Sequence, residues 1–329
     1  MAFGMLYQGI NNSRSEVMEE KNVSSVTLIH LLGLRTPHSI TFLVFFLFLL
    51  IYCVTICGNL LIIILVSYSK SLHSPMYVFL SQLSVSDILL VTNILPNMLH
   101  AVLMKGSTIS FSDCISQFYF FCVSETSECL ILTVMCYDRY VAICKPLHYT
   151  LAMNFQFCWL VSITCWVLSL LVVLIPTLTI SQLHFCGPDI VDHFFCDLEP
   201  VLQLSCSDTA NVLLEVTLLN FVFVVIPFFI IIVSYVYIII TIFKIPSITG
   251  RQKVFSTCSS HLTVVCIYYG TLVCVYLVPR RGQSLDITKF LSLLYTVVTP
   301  LMNPIIYSLR NKDLKKAVAK IINHNGGNI

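Results

Sequence analysis

The sequence predicts an all-α membrane protein, a bundle of seven transmembrane helices. Of the 329 residues, 57% are hydrophobic and only 10% are charged, and the mean hydropathy is +0.89. Soluble domains carry about a quarter charged residues, so this composition indicates a protein embedded in lipid. Seven segments hold few or no charged residues, and each is long enough to span a bilayer as a helix, which takes about 20 residues. None alternates polar and apolar residues like the strands of a membrane barrel.

The helices follow from the uncharged stretches in chain order. Helix 1 falls in a stretch without charges, and helix 2 starts after a turn at Ser74 and Pro75 and contains one acid, Asp87. Helix 3 contains two acids, Glu125 and Glu128, before its inner end. Helices 4 and 6 hold no Asp, Glu, Lys or Arg, and helices 5 and 7 hold one charge each near their outer ends, Glu215 and Lys289. The predicted spans are 41–67, 76–99, 114–141, 157–178, 210–243, 254–278 and 287–309.

The distribution of cations predicts the orientation. Eleven of the 18 Lys and Arg residues lie in the loops and tail on one side of the predicted bundle, and such an excess marks the cytoplasmic side. The chain then divides into an extracellular segment 1–39, a transmembrane bundle 40–309 and a cytoplasmic tail 310–329, as in a multi-pass protein of the plasma membrane. Segment 1–39 is polar and expected to be mobile, with two Asn-x-Ser glycosylation acceptors at Asn11 and Asn22.

The cytoplasmic tail alternates cations with apolar residues. This pattern predicts a short amphipathic eighth helix that lies on the anionic inner leaflet of the lipid bilayer. An ordinary solvated tail is the alternative for so brief a segment. The cations are Lys312, Lys315, Lys316 and Lys320, and the apolar residues are Leu314, Val318, Ile321 and Ile322.

Four of the 15 cysteines lie outside the predicted helix interiors on the extracellular side: Cys114, Cys186, Cys196 and Cys206. The oxidising exterior favours disulfides, and four cysteines allow three pairings that their spacing does not rank. A zinc site that also uses His184 and His193 is the alternative. Most of the other cysteines fall inside helices, where a thiol behaves as a small apolar group.

Seven motifs in the predicted helices and at their borders carry a family resemblance. They are GN at 58–59, LHSPMY at 72–77, LSVSD at 83–87, MCYDRYVAICKPLHY at 135–149, SY at 234–235, KVFSTCSSHL at 253–262 and PLMNPIIYSLRN at 300–311. In this order they cover the bundle, and the chain resembles the vertebrate olfactory receptors of the rhodopsin-like class of G-protein-coupled receptors. The resemblance implies a receptor, not an enzyme, that binds small volatile odorants, activates a heterotrimeric stimulatory G protein and raises cyclic AMP. No nucleic-acid partner is expected.

Asp138, Arg139 and Tyr140 form the most informative motif, at the inner end of helix 3. A charge pair is costly at a membrane boundary. In a resting bundle the acid would hold the arginine, and its release would open a cleft between helices 3 and 6; a loop charge that only sets topology is the alternative. The resemblance implies that the open cleft receives the carboxyl-terminal helix of a G-protein α subunit. It also implies that three further side chains line this cleft: Tyr235, His261 and Tyr307.

Two carboxylates are predicted to be buried in the middle of the bundle, Asp87 on helix 2 and Glu128 on helix 3. Such groups are expensive in a membrane unless they are protonated or neutralised by a cation. Asn59, Ser84 and Asn303 would complete an oxygen-rich cluster around them. The resemblance implies a sodium- or proton-linked site that biases the resting state, and no other cofactor. A purely structural hydrogen-bond network is the alternative.

Glu125 lies one turn outward from Glu128 on the same face of helix 3. By alignment with the family this face borders the ligand cavity, where Glu125 would receive an amine or hydroxyl group of the ligand. Alternatively it keeps a proton and pairs with Glu128. Tyr269 is the best candidate to convert ligand contact into motion. The other wall residues, each as compatible with plain helix packing, are Phe121, Cys122, Thr126, Cys129, Leu219, Asn220, Phe223, Leu272, Val273, Tyr276, Leu293 and Thr296.

Two expectations complete the sequence prediction. The family's disulfide pattern implies the pairs Cys114–Cys196 and Cys186–Cys206, the first of which would fix the long loop over helix 3 as a lid. A competing function from another class is a transporter or channel that uses Asp87, Glu125 and Glu128 as an ion path. The motif at Asp138 and Arg139 favours the receptor, because an ion path does not require it.

Overall fold

The computed structural model describes residues 26–186, 189–277, 285–311, 314–317 and 319. This part of the chain contains seven long helices. They are α1, Thr41–Tyr68; α2, Pro75–Met104; α3, Phe111–Cys144; α4, Phe155–Ser181; α5, Ala210–Lys244; α6, Ile248–Leu277; and α7, 285–310. Six are long and apolar enough to span a membrane, and α6 is a seventh if its two arms, which meet at 45°, form one span. The predicted helical membrane protein is confirmed at this level.

Two helices, α3 and α4, start before the predicted apolar spans because polar residues cap them. The Ser110 hydroxyl accepts a hydrogen bond from the Asp113 backbone N–H, and α3 therefore starts at Phe111. The Asn154 side chain does the same for Phe157, and α4 starts at Phe155. Side-chain caps of this kind satisfy N–H groups that the first helical turn leaves unpaired.

Two π-helical stretches interrupt α5 and α7, and neither was predicted. In α5, Phe221–Val225 separates Ala210–Asn220 from Ile226–Lys244, and in α7, Leu294–Val298 separates Leu285–Leu293 from Thr299–Arg310. Each stretch is followed by a proline at the second position of the next α-helical part. Proline has no N–H to donate to the preceding turn, so a wider turn fits there.

A three-stranded sheet lies at one end of the bundle. Strand β1, Leu28–Leu31, pairs antiparallel with β2, Ser107–Ser110, and parallel with β3, Ile190–Val191. Ile29 and Leu31 are buried on one face of β1 while their neighbours are exposed, which is the period of a half-buried strand. The expectation that segment 1–39 is mobile was therefore wrong for Leu28–Leu31. Asn11 and Asn22 lie outside the described residues.

Helix α3 is the centre of the bundle and packs against α2, α4, α5 and α6. We call its first end, with the sheet and Cys114, the disulfide end, and its last end, with Asp138 and Arg139, the arginine end. The core runs between the two ends, and large apolar side chains also cover the outside of the helices. A bundle that is apolar on both sides is the expected form in lipid.

Little of the predicted tail helix falls within the described residues. Residues 314–317 are helical, and the Leu314 backbone N–H donates to the Asn311 side chain at 3.2 Å. Leu314 and Ala317 are buried, whereas Lys315 and Lys316 are exposed. This single turn has the predicted polarity, and Val318, Lys320, Ile321 and the other tail residues in the prediction lie outside what is described.

Candidate functional site

At the arginine end, both oxygens of the Asp138 carboxylate are occupied. Arg139 donates through Nε to Asp138 Oδ2 at 2.9 Å, and its Nη2 contacts the same oxygen. The hydroxyl of Tyr149, on the short helix Tyr149–Ala152 between α3 and α4, donates to Oδ1 at 2.9 Å. Both charged side chains are buried. Burial and the Asp138 charge raise the pKa of Tyr149, so the phenol keeps the proton that it donates.

A second buried pair connects α5 and α6 beside α3. The Tyr235 hydroxyl lies 2.6 Å from His261 Nδ1, and His261 Nε2 lies 3.2 Å from the carbonyl oxygen of Leu132 on α3. A carbonyl only accepts hydrogen bonds, so Nε2 carries the proton and the Nδ1 of a neutral imidazole accepts from Tyr235. The Tyr307 hydroxyl is buried and has no hydrogen-bond partner among the described residues. Tyr140 is half-buried, and its ring packs against Tyr237.

Asp87, Glu128 and Asn303 meet in the middle of the bundle. The Asn303 amide nitrogen lies 3.0 and 3.2 Å from the two Asp87 oxygens and 3.2 Å from Glu128 Oε1. All three side chains are buried. Two carboxylates around one amide repel each other unless a proton or a cation lies between them. The cluster therefore has the composition expected of a proton or sodium site.

Asn59 lies beside this cluster with a different set of partners. Its amide nitrogen donates to the backbone oxygens of Thr55 at 3.1 Å and Pro300 at 3.4 Å, and its Oδ1 is a buried oxygen without a partner in the described structure. Ser84 is buried on α2. Hard cations take oxygen ligands, so the unpaired Asn59 oxygen fits a cation site. Within the described ranges, no three His, Cys, Asp or Glu side chains gather as a metal site.

Glu125 lies on α3, between the carboxylate cluster and the disulfide end. Its Oε1 is buried and has no hydrogen-bond partner in the part of the chain that the structure describes. The Tyr268 hydroxyl of α6 donates to the Glu125 backbone oxygen at 3.0 Å, and the neighbouring Tyr269 hydroxyl lies 2.9 Å from Cys129 Sγ. Tyr268 was not predicted from the sequence. The two tyrosines join α6 to α3 beside the unpaired carboxylate oxygen.

The other predicted wall residues differ in exposure. Phe121 is buried against the Phe195 ring at 5.1 Å, and Thr296 is buried and donates to the Ser292 carbonyl at 2.7 Å. Val273 is 43% exposed, and the side chain of Tyr276 lies outside the described residues. The half-buried members are Cys122, Thr126, Leu219, Asn220, Phe223, Leu272 and Leu293.

Two disulfides hold the long loop between α4 and α5. Cys114 at the start of α3 is bonded to Cys196, and Cys186 is bonded to Cys206. These are the pairs that the family pattern implied, and they contradict the zinc alternative because all four thiols are consumed. The loop is also anchored by Gln117 of α3, whose Oε1 accepts from the Cys196 backbone N–H at 2.9 Å.

A buried ion pair fastens the same loop to α7. Lys289 donates to Asp192 Oδ1 at 2.5 Å and to the Gly33 carbonyl at 2.9 Å, and its side chain is only 3% exposed. Arg35 donates to the other Asp192 oxygen at 2.8 Å. The amino-terminal segment, the loop and α7 thus share one carboxylate. No pattern in the sequence predicted this group, because its members are far apart in the chain.

His193 follows Asp192 and forms an aromatic plug with the next two residues. Its ring lies 4.7 Å from Phe194 and 4.8 Å from Phe195, and neither ring nitrogen has a hydrogen-bond partner within the described ranges. Burial lowers the pKa of His193 to about 4. The negative charge of Asp197 opposes this shift, and the positive charge of Lys289 adds to it. The plug therefore contains a neutral imidazole at pH 7.

These features define a multi-pass helical membrane protein, with a buried Asp–Arg pair at one end and a disulfide-bonded loop at the other. A family model described as "Olfactory receptor" matches residues 48–325. Similar proteins include olfactory receptor 11L1 of Homo sapiens, 45% identical over 94% of this chain and 96% of its own. Others are olfactory receptor 1468 of Rattus norvegicus, 42% identical over 93% and 97%, and olfactory receptor 1M1 of Mus musculus, 44% identical over 93% and 98%.

The chain belongs to the olfactory receptor family. Members of this family are G-protein-coupled sensory receptors of the membrane and not enzymes. The family resemblance read from the seven motifs is thereby confirmed, and the transporter or channel alternative loses its support. Family membership implies a small-molecule odorant and a G protein as partners.

Proposed function

We propose that this receptor binds volatile odorants in a cavity among α3, α5, α6 and α7, and that it activates a stimulatory, olfactory-type G protein that raises cyclic AMP. The observation that carries the proposal is the buried group at the arginine end. Arg139 is held by Asp138, which Tyr149 also holds from the loop side. Such a group can act as a two-state switch, because Arg139 is either bonded to Asp138 or free to bond to other partners.

The disulfide end faces the outside in this proposal. Disulfides persist in oxidising environments and are rare in the cytosol, so the two bonds at Cys114 and Cys186 support this orientation. The excess of Lys and Arg near the arginine end supports it independently. The G protein then meets the surface around Arg139 on the cytoplasmic side.

Activation is proposed to separate α6 from α3 at the arginine end. Movement of α6 would break the bond between His261 and the Leu132 carbonyl and would leave Tyr235 free. Arg139 would then exchange Asp138 for new partners, and the buried, unpaired Tyr307 hydroxyl is one acceptor available for it. The new hydrogen bonds of Arg139 would offset the loss of its bond to Asp138 and of the bond from His261 to Leu132. The resting and active states must be close in free energy for a small ligand to shift the equilibrium between them.

Glu125 is the proposed ligand contact. Its buried Oε1 lacks a partner within the described residues, and a buried acceptor without a partner costs about 1–3 kcal/mol. An odorant with an amine or hydroxyl group would supply the missing donor. Pairing of this oxygen with Glu128 gains no support from the geometry. Tyr268 and Tyr269 lie on the adjacent face of α6, so they are suited to transmit the contact toward His261.

Asp87, Glu128 and Asn303, together with Asn59 Oδ1, are the proposed holders of a sodium ion or a proton. The cluster lies on α2, α3, α7 and α1, between the ligand region and the arginine end. Loading it with positive charge would favour the packed arrangement of these helices and so the resting receptor. The same carboxylates would repel each other when the site is emptied.

A cell assay tests the function and the role of Glu125 together. Cells that express the receptor with a stimulatory olfactory-type G protein are exposed to a panel of amines, alcohols and apolar volatiles, and cyclic AMP is recorded. We expect the wild type to respond to amines or alcohols and Glu125→Gln to lose about tenfold or more in potency for them. The matched control is Asp113→Asn, the same acid-to-amide change at an exposed position in the first turn of α3, which should respond like the wild type. Ligand-gated currents without a G protein would overturn the proposed function, whereas equal responses of the two receptors would overturn only the Glu125 contact.

A further inference from the structure

A cleft of about 390 Å³ lies at the disulfide end, between the amino-terminal segment and the end of α2. It is separate from the proposed odorant cavity, and it shares one residue, Arg35, with the ion pairs around Asp192. Its lining residues are Leu32, Leu34, Arg35, Thr36, Pro37 and Lys105. Four of the six are apolar or neutral, and the other two are cationic.

Two glycines let the amino-terminal segment lie close to α2 and so shape this cleft. Gly33 has φ +67°, and a Cβ there would come within 3.0 Å of the Ala101 side chain. Gly106 has φ +144°, and a Cβ there would come within 3.3 Å of the Leu31 carbonyl oxygen. L side chains rarely adopt such φ values. The two glycines therefore allow the close approach of the amino-terminal segment and the end of α2 beside the cleft.

Of the two cations that line the cleft, one has an ion-pair partner within the described residues. Arg35 is paired with Asp192, but the same carboxylate also binds the buried Lys289. Lys105 is exposed at the end of α2, which it terminates with a left-handed backbone (φ 58°). Lys105 has no ion-pair partner among the described residues. Arg35 and Lys289 thus share one carboxylate, and Lys105 adds a further positive charge to the lining of the cleft, which favours an anion there.

We propose that this cleft binds the anionic headgroup of an amphiphile, a carboxylate or phosphate that carries an apolar chain. Arg35 and Lys105 would contact the anion, with Leu32, Leu34 and Pro37 beside it. An apolar chain has a place to lie, because α1 begins four residues after Pro37 and exposes Phe42, Leu43 and Phe46 along its first turns. A free fatty acid and an anionic phospholipid share this chemistry. The site is independent of the odorant response.

The test uses the purified full-length receptor in phosphatidylcholine nanodiscs with tritiated decanoate as the probe. We expect saturable binding that falls about fivefold in Lys105→Gln and in Arg35→Gln and is lost in the double variant. Lys105→Gln removes no described contact, so weaker binding by this variant would report the loss of the positive charge and not a change in folding. Lys70→Gln, an exposed lysine at the opposite end, should bind like the wild type.

A second arm identifies the source of the anion. Native mass spectrometry of the receptor in nanodiscs that contain phosphatidic acid should show a retained lipid if phospholipid is the natural ligand, and the same two substitutions should release it. Binding of methyl decanoate as tight as that of decanoate would overturn the proposal, because the ester has no charge. Binding of either anion that is unchanged in the Lys105→Gln and Arg35→Gln variants, or no binding of either, would also overturn it.

Discussion

Tyr149 donates a 2.9 Å hydrogen bond to Asp138 and so holds, from outside the spanning helices, the acid that holds Arg139. The two residues are eleven positions apart, and the turn between α3 and α4 brings them together. The resting position of Arg139 therefore depends on the conformation of this turn. A surface that a G protein would contact is linked directly to the arginine.

Tyr149→Phe should raise the basal activity of the receptor. The substitution removes one hydrogen bond from Asp138 and leaves the ring in place, which favours release of Arg139 by about 1 kcal/mol, or about fivefold in the equilibrium. Basal cyclic AMP per receptor at the cell surface checks this. Tyr137→Phe, at an exposed tyrosine of α3 next to Asp138, is the control, and equal basal levels in both variants would contradict the role of Tyr149.

Removal of the Asp192 charge should destabilise the receptor more than removal of its partner Lys289. Asp192→Asn leaves a buried lysine without its counter-ion, which costs about 3 kcal/mol. In Lys289→Met the Asp192 carboxylate still has Arg35, so the loss should be smaller. Thermal unfolding of the purified protein measures both. Asp189→Asn, in an exposed pair with a histidine, should change little. An Asp192→Asn protein as stable as Asp189→Asn would refute the importance of the Asp192–Lys289 ion pair.

His193 should make the stability of the lid depend on pH. Its pKa is lowered from 6.5 to about 4 by burial, so the folded lid prefers the neutral ring. The contribution of the neutral His193 ring to the free energy of unfolding is complete above about pH 6.5. It is lost as the pH falls through 4, and about 2 kcal/mol of it is already lost at pH 5. The charged groups that face the ring are Asp192, Asp197 and Lys289.

Thermal unfolding at pH 7.5 and pH 5 tests this dependence. The wild type should lose several degrees at the lower pH, and His193→Phe, which cannot titrate and matches its aromatic neighbours, should lose clearly less. Equal losses in the two proteins would assign the acid sensitivity to other groups.

Sodium should stabilise the receptor through Asp87. In the wild type we expect a higher unfolding temperature in sodium chloride than in choline chloride at equal ionic strength, because the cation would neutralise Asp87 and Glu128. Asp87→Asn should lack the difference while it keeps an amide of the same size beside Asn303. No sodium effect in the wild type would favour the alternative of a purely structural network.

The sequence was sufficient for features that depend on residues close together in the chain. The helices, the Asp138–Arg139 pair and the acids on α2 and α3 are all visible as charges within or beside apolar runs. A helical period also placed Glu125 and Glu128 on one face of α3. The family resemblance added the disulfide pairs, which spacing alone did not rank.

Features that depend on distant contacts were not visible in the sequence. Lys289 and Asp192 are 97 positions apart, and each alone has the pattern of an ordinary loop or helix-end charge. Strand β1 exists because two other segments pair with it, so its short alternation carried no signal by itself. Tyr268 lies next to Tyr269, about 100° around the helix, and only the packing of α6 on α3 shows that both contact α3.

The central claim is that release of Arg139 from Asp138 switches the receptor on. Its most direct test is cyclic AMP in cells that express an odorant-responsive wild type, Arg139→Ala or Lys70→Ala, each normalised to surface receptor. The account predicts that Arg139→Ala reaches the surface but loses the odorant response by about tenfold or more, while Lys70→Ala responds normally. An Arg139→Ala receptor with an undiminished odorant response would contradict it.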